Sequence, residues 1–203
     1  MKTYKFENTT DWLEARKGKI TGSRLKDIIV KRGTGEKIGF YELIAERLTN
    51  NLKESESPMD RGTRLEPEAI AKFAEITKKE VNTDLVIFTR EDNESIAISP
   101  DGYIGNTEAV EVKCLSSARH IEAYLTQLIP SEYIDQVKQY FVVNDDLQKL
   151  YLVFYDPRIL CKTLFHLEIN RSDYAENELA ECLEYQKAKL QAVDEIVLKL
   201  INY

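Results

Sequence analysis

The sequence predicts an α/β protein in which a central mixed β-sheet is flanked by helices. Three patterns in its 203 residues support this class: helically spaced apolar residues before residue 80, alternating runs between residues 84 and 169, and a long amphipathic stretch at the end. There is no internal repeat, low-complexity tract or Pro/Gly/Ser-rich linker. We therefore expect one domain over residues 1–203, with helices over 9–80, the sheet and its helices over 81–170, and a closing helix over 172–202.

The first part of the chain is expected to be helical. Thr10, and then Thr21 or Ser23, are suitable N-caps for two short helices, because their hydroxyls accept hydrogen bonds from backbone N–H groups. A third helix is expected over residues 40–52 and a longer one after Pro58. The apolar face of the longer helix contains Leu65, Ala69, Ile70 and Phe73.

The middle of the chain changes to the two-residue period of strands. Residues 84–89 and 95–99 favour two strands joined by a polar turn. Residues 109–114 alternate strictly, so Glu111 and Lys113 lie together on one face of a strand. The remaining elements of this region are helices at about residues 118–126 and 131–143 and strands at 150–155 and 162–169.

The chain ends in an amphipathic helix whose apolar side steps by three and four residues. Two interpretations remain open: a coiled-coil seam, or packing against the rest of the same domain, which we favour. The stripe consists of Leu179, Leu183, Gln186, Leu190, Val193, Val197 and Leu200.

The composition excludes several classes of protein. Two histidines are too few for a histidine-rich metal site, and three widely spaced cysteines do not form a disulfide framework or a cysteine-rich zinc or iron–sulfur site. No apolar run approaches the length of a membrane span, and the first residues do not resemble a signal peptide. We expect a cytoplasmic protein that does not enter the membrane.

The charge is distributed unevenly along the chain. The net charge is −7, yet residues 1–37 contain ten Lys/Arg against five Asp/Glu. Residues 38–170 contain 14 against 23, and residues 171–203 contain four against seven. A basic start followed by an acidic remainder fits a protein that binds a polyanion on one face, and it equally fits a solvated basic helix.

Three side chains suited to phosphodiester chemistry occur at a short spacing. Asp101 lies in the turn Ser99-Pro-Asp-Gly102, and ten residues later Glu111 and Lys113 project from one strand face. The two carboxylates and the Val112 carbonyl are hard oxygen ligands suited to Mg²⁺, which would activate water and neutralise phosphate charge. Lys113 would hold or help deprotonate that water. On spacing alone, a solvent-facing Glu111–Lys113 ion pair and an ordinary turn aspartate remain open.

Six motifs in register resemble the lambda exonuclease family, the YqaJ-type viral recombinases, within the PD-(D/E)xK nuclease superfamily. They span residues 12–158 in the same order and at nearly the same spacing as in that family. The motifs are WLEARKGKITGS at 12–23, RGTRLEPEA at 61–69, SPDG at 99–102, VEVKC at 110–114, YIDQVKQ at 133–139 and YDPR at 155–158. The resemblance implies a restriction-endonuclease-like core.

The resemblance assigns roles to the central residues. Asp101 and Glu111, with the Val112 carbonyl, are implied as ligands of Mg²⁺, for which Mn²⁺ is an alternative, and Lys113 as the catalytic lysine. Glu66 resembles the additional acidic residue that supports a second ion or its water, so two ions per site are implied.

Gln136 matches the first glutamine of the family's Q-x-Q element, and Lys138 replaces the second. The alternative for Gln136 is a glutamine satisfied by the backbone, because it shares a helical stripe with Tyr133, Val137 and Tyr140.

The resemblance also implies contacts with the DNA end. Guanidinium and hydroxyl groups suit a terminal 5′-phosphate. Met59 lies where the family inserts an apolar side chain between bases, and Tyr133 is a further candidate for DNA contact. The phosphate ligands implied are Arg16, Ser23, Ser99 and Arg119.

The resemblance implies a Mg²⁺-dependent exonuclease that degrades one strand of duplex DNA from a 5′-phosphorylated end and leaves mononucleotides and a 3′ overhang for recombination. The family forms homotrimeric rings around DNA, and a single-strand annealing recombinase is the implied partner, in the cytoplasm of a bacterial host. Two other functions remain open: an endonuclease or repair nuclease on the same core, and a catalytically inactive DNA-end-binding protein.

Overall fold

The computed structural model describes residues 11, 35–48 and 58–201 of the chain. The two predicted N-terminal helices lie outside these residues. The described helices are α1 (Ile38–Leu48), α2 (Pro58–Thr77), α3 (Ser117–Thr126), α4 (Ile134–Val143) and α5 (Glu176–Ile201). The described strands are β1 (Phe88–Thr89), β2 (Ala97–Ile98), β3 (Gly102–Ile104), β4 (Glu108–Lys113), β5 (Lys149–Tyr155) and β6 (Leu164–Asn170).

The strands form two sheets. The larger sheet has the order β3-β4-β5-β6, and the smaller one pairs β1 with β2 in antiparallel orientation. Strands β3 and β4 are also antiparallel, with Gly102 opposite Val110. The predicted α/β class, a mixed sheet with helices around it, is confirmed.

The described residues cluster into two compact units. Unit 1 contains the described residues up to Leu65 together with Cys114–Leu128 and Phe154–Phe165. Unit 2 contains Glu66–Lys113, Ile129–Val153 and the described part of His166–Tyr203. The single domain expected over residues 1–203 remains a prediction.

Unit 1 is organised by the packing of α1 on α3. Its apolar cluster includes Tyr41, Ala45, Ala118, Ile121 and Ile159. A buried polar contact accompanies this cluster: the Ser117 hydroxyl donates to the Asp156 carboxylate at 2.5 Å.

Unit 2 buries both faces of its central strands. Val110 is fully buried in β4, and Phe73 of α2 packs its ring on Tyr151 of β5, with centroids 5.1 Å apart. Helix α4 adds Val137 and Phe141 to the buried residues. Because both faces of β4 are buried, the charged side chain of Glu111 in the middle of the strand also lies in the interior.

Three elements differ from their prediction. Strands β1 and β2 have two residues each rather than six and five, and Leu85 and Ile87 beside them are exposed, so the apolar alternation did not reflect burial. Strand β3 was not predicted, because a three-residue strand next to Gly105 lacks a detectable period. The C-terminal helix begins at Glu176, four residues later than expected.

The first half of α5 packs on α4 within unit 2. Leu179 is buried, and Gln186 exchanges two amide hydrogen bonds with Gln139 at 2.7 and 2.9 Å. Further along, Val193 and Ile196 are more than half exposed. Packing against the rest of the chain, the interpretation that we favour, therefore holds for the first residues of the predicted apolar stripe.

Candidate active site

Asp101 is fixed where the chain enters β3. Its Oδ2 accepts a hydrogen bond from the backbone N–H of Val112 in β4 at 2.7 Å. The next residue, Gly102, lies so close to Val81 that an added Cβ would be 2.5 Å from its Cγ1. Only glycine permits this approach, so the Pro-Asp-Gly turn holds the carboxylate against the strand that carries Glu111.

The backbone of Val112 faces the same side as Asp101. In an antiparallel pair, the N–H and C=O of one residue point to the same neighbouring strand. Since the Val112 N–H donates to Asp101, its carbonyl is directed to the side of β4 on which Asp101 lies. The Val112 carbonyl is the third oxygen ligand that we predicted from the sequence.

Glu111 is buried, with a side chain only 6% exposed, against 14% for Lys113. Its Oε1 accepts hydrogen bonds from Lys113 Nζ and Gln136 Nε2, both at 2.7 Å. Its Oε2 accepts a hydrogen bond from the Tyr140 hydroxyl. A buried carboxylate needs such donors, because an unpartnered charge in the interior is strongly destabilising.

Lys113 is held by three neighbours. Besides Glu111, its Nζ donates to Gln136 Oε1 at 2.8 Å and lies 4.5 Å from the centre of the Tyr133 ring. Gln136 thus accepts from Lys113 through its oxygen and donates to Glu111 through its nitrogen. Gln136 is exposed whereas Tyr140 is buried, so the cluster opens to solvent on the Gln136 side.

The carboxylates of the site repel one another. Burial, and next the charge of Glu111, raise the pKa of Asp101 from 3.8 to about 7, although the Val112 N–H opposes the shift. Burial, and next the charge of Glu111, also raise the pKa of Glu66 on α2. This third carboxylate is therefore close enough to Glu111 to be repelled by its charge. Burial and the charge of Glu111 raise the pKa of Tyr140, so its hydroxyl keeps its proton and donates.

This donor set suits a hard divalent cation. Among the described residues, Lys113 is the lysine that offsets the negative charge of Asp101, Glu111 and Glu66, and a cation would relieve the repulsion that raises the pKa of Asp101. Within the described part of the chain, no three His, Cys, Asp or Glu side chains are grouped as a metal site. The fit to Mg²⁺ rests on the chemistry of the donors: the carboxylates of Asp101 and Glu111 are hard oxygen ligands, and a backbone carbonyl, water and phosphate oxygens would complete the set.

The structure describes only part of the predicted DNA-end contacts. Arg16 and Ser23 lie outside the described residues. Ser99 in unit 2 is exposed and donates its hydroxyl to Val86 O at 2.9 Å. Arg119 in unit 1 is exposed on α3, with Nη1 2.6 Å from Glu122 Oε2.

Two further residues were candidates for DNA contact. Met59 belongs to the first turn of α2, in agreement with the helix expected after Pro58. Tyr133, a candidate DNA contact, places its ring against Lys113. Tyr140 received no role from the sequence, and its one signal was its position four residues after Gln136 on the same helical stripe.

Comparison with known proteins identifies the family. The model of the YqaJ-like viral recombinase domain matches residues 11–146. The chain belongs to this family of viral recombinases, and the resemblance to the lambda exonuclease type is confirmed.

Solved structures give a more particular likeness. An alkaline exonuclease, LHK-Exo from Laribacter hongkongensis, is 31% identical, with 94% of this chain and 97% of that chain covered and a TM-score of 0.62. The structure of LHK-Exo in complex with dAMP matches at 32% identity with the same coverage and TM-score. A comparison with curated protein sequences gives no match. None of the described helices is long and apolar enough to cross a membrane.

Proposed function

We propose that this protein is a phage-type alkaline exonuclease that hydrolyses one strand of double-stranded DNA from a 5′-phosphorylated end. The observation that carries the proposal is the cluster of Asp101, Glu111, Lys113 and Gln136, joined through Val112 N–H and three hydrogen bonds. It is supported by the 31% identity to an alkaline exonuclease over nearly the whole of both chains.

The proposed cofactor is Mg²⁺, with Mn²⁺ as a substitute, on a PD-(D/E)xK core. Asp101, Glu111 and the Val112 carbonyl would hold the first ion, and Glu66 would support a second ion or its water. When bound, such ions activate water and neutralise the charge that develops on the phosphodiester.

Lys113 and Gln136 would act on the attacking water and the phosphate. In the proposed reaction, water oxygen bonds to phosphorus in line with the 3′-oxygen, the phosphorus–oxygen bond to that 3′-oxygen breaks, and the leaving oxygen takes up a proton. Lys113, held by Glu111 Oε1 and Gln136 Oε1, would orient the water and stabilise negative charge. The products would be 5′-mononucleotides, and the complex of LHK-Exo with dAMP supports this choice.

Recognition of the 5′-phosphate is proposed for Arg16, Ser23, Ser99 and Arg119. Arg119 and Ser99 have partners that a phosphate would have to replace, Glu122 and the Val86 carbonyl. Charge-assisted bonds to a phosphate are stronger than neutral ones, so the exchange is favourable for Ser99, whereas Arg119 would replace one charge-assisted bond by another.

The proposed assembly is the homotrimeric ring of the family, with a single-strand annealing recombinase as partner and the bacterial cytoplasm as location. A basic N-terminal segment within an acidic chain supports binding of DNA on one face.

A digestion time course tests the proposal. Linear duplex DNA, labelled at 5′ ends with or without phosphate, and closed-circular DNA are incubated with Mg²⁺ and the wild-type protein, Lys113→Ala or Lys149→Ala. Lys149 is the matched control, because it lies in the same unit and pairs with Glu168. We expect mononucleotides from phosphorylated linear DNA only, abolished in Lys113→Ala alone. Cutting of the circle would indicate an endonuclease, and binding without cleavage an inactive end-binding protein.

A further inference from the structure

Helix α4 contacts both oxygens of Glu111 from one face. Gln136 and Tyr140 are one helical turn apart, so their side chains project in the same direction. Gln136 Nε2 donates to Oε1, and the Tyr140 hydroxyl donates to Oε2. Tyr140 is 1% exposed, so its hydroxyl has no access to bulk water in this position.

The hydrogen bonds restrict how Glu111 can bind a cation. A carboxylate has about four acceptor positions, two on each oxygen. Lys113 and Gln136 occupy both positions of Oε1, whereas Tyr140 occupies one position of Oε2. With these contacts in place, Glu111 has one acceptor position left to offer, on the oxygen that Tyr140 orients.

We propose that Tyr140 is a positioning residue that fixes the Glu111 carboxylate so that Oε2 alone is presented to a divalent cation. The proposal rests on the proposed function, because it requires Asp101 and Glu111 to bind such an ion. A tyrosine that served only to fill the core would be replaceable by phenylalanine without any effect on cation binding. A residue that hydrogen-bonds to a metal ligand instead changes the affinity of the site for the metal, and that effect is lost with the hydrogen bond.

Tyr140→Phe tests the role, because it removes the hydroxyl and keeps the ring. Titration of the DNA-free protein with Mg²⁺ by calorimetry, and with Mn²⁺ by electron paramagnetic resonance, should show affinity weakened by roughly tenfold or more. The Mg²⁺ concentration for half-maximal cleavage should rise by the same factor, while the rate at saturating Mg²⁺ stays near that of the wild type. Tyr151→Phe is the control: it removes another buried hydroxyl of unit 2, whose ring contacts Phe73 and His166.

The outcomes separate the two proposals. Wild-type cation affinity in Tyr140→Phe would overturn the role of Tyr140 only, whereas a wild-type protein that binds no divalent cation would overturn the proposed function. Should Tyr140→Phe not fold, proton NMR of the wild type replaces it: the enclosed hydroxyl proton should exchange slowly and shift on addition of Mg²⁺. A hydroxyl resonance that is unchanged at saturating Mg²⁺ would also overturn the role.

Discussion

Replacing Asp101 by asparagine should stabilise the metal-free protein at alkaline pH. In the folded state, burial and the charge of Glu111 raise the pKa of Asp101 to about 7, against 3.8 for an ordinary aspartate. Between these two values the folded protein retains a proton that the unfolded chain has lost, so stability falls as the pH rises through this interval. Below the interval the penalty is absent, and above it the penalty is complete. Asparagine keeps an oxygen for the Val112 N–H and removes the charge.

The size of the effect follows from the shift. Roughly three pKa units at about 1.4 kcal/mol each give a penalty on the order of 4 kcal/mol for the charged form. Because Asp101 and Glu111 interact, the pair carries this penalty together, and removing one carboxylate relieves their mutual repulsion. We expect Asp101→Asn to exceed the wild type by about 2–4 kcal/mol at pH 8.5, with the difference vanishing near pH 4.

Urea unfolding in the presence of EDTA, between pH 4 and 9, measures this difference. Groups that titrate equally in both proteins cancel in the comparison, and Asp84→Asn, an exposed aspartate of the same unit, serves as control. Added Mg²⁺ should stabilise the wild type and have little effect on Asp101→Asn, since a cation relieves the same repulsion. A variant that is less stable than the wild type at pH 8.5 without metal, or a difference independent of pH, would refute the reasoning.

Three further predictions concern packing and the DNA end. Gly102→Ala should lower the free energy of unfolding by about 1–3 kcal/mol through the clash with Val81, whereas Gly62→Ala, with open space around the added carbon in α2, should raise it by about 0.5–1 kcal/mol, both by denaturant titration. Ser117→Ala should cost about 1–3 kcal/mol in the same assay, because buried Asp156 loses a donor, and an unchanged midpoint would contradict this. Arg16→Ala should reduce the preference for 5′-phosphorylated over hydroxyl ends while Mg²⁺ affinity stays constant; equal digestion of both ends by the wild type would contradict the assignment.

Much of the candidate site could be located from the sequence because its residues are fixed by local geometry. Glu111 and Lys113 share a strand face by the two-residue period, which the structure confirms in β4. Asp101 belongs to a turn that is recognisable from its Pro-Asp-Gly composition. Gln136 lies on another element, and only the resemblance to a known family connected it with Glu111, the carboxylate that it contacts.

Other features depend on tertiary contacts that carry no local pattern. Strand β3 begins at Gly102, where the chain passes close to Val81, and a three-residue segment has too few positions to show a period. The burial of Glu111 contradicts the expectation for a charged residue, and it becomes tolerable only through donors from a helix some 25 residues later in the chain. The sequence therefore contains no sign that Tyr140 contacts Glu111, and the residue was assigned only to the helical stripe that it shares with Val137.

The contacts between strand β4 and helix α4 give a physical reason for the spacing of the site residues on each element. Glu111 and Lys113 are two residues apart on β4, a separation of about 6.6 Å along the strand. On α4 and the turn before it, Tyr133 and Gln136 contact Lys113, whereas Gln136 and Tyr140 contact Glu111.

The chain direction along the helix is therefore opposite to that along the strand at this contact. The helical positions that meet the two charges lie on average 3.5 residues apart, which is about 5 Å along the axis. One helix face thus matches the two-residue step of the strand, and Gln136 bridges both charges from the middle. Moving Tyr140 by one position along α4 would rotate its ring by about 100° away from β4. This match between the two periods explains why an E-x-K strand and a Y-x2-Q-x3-Y helix segment occur together in this chain.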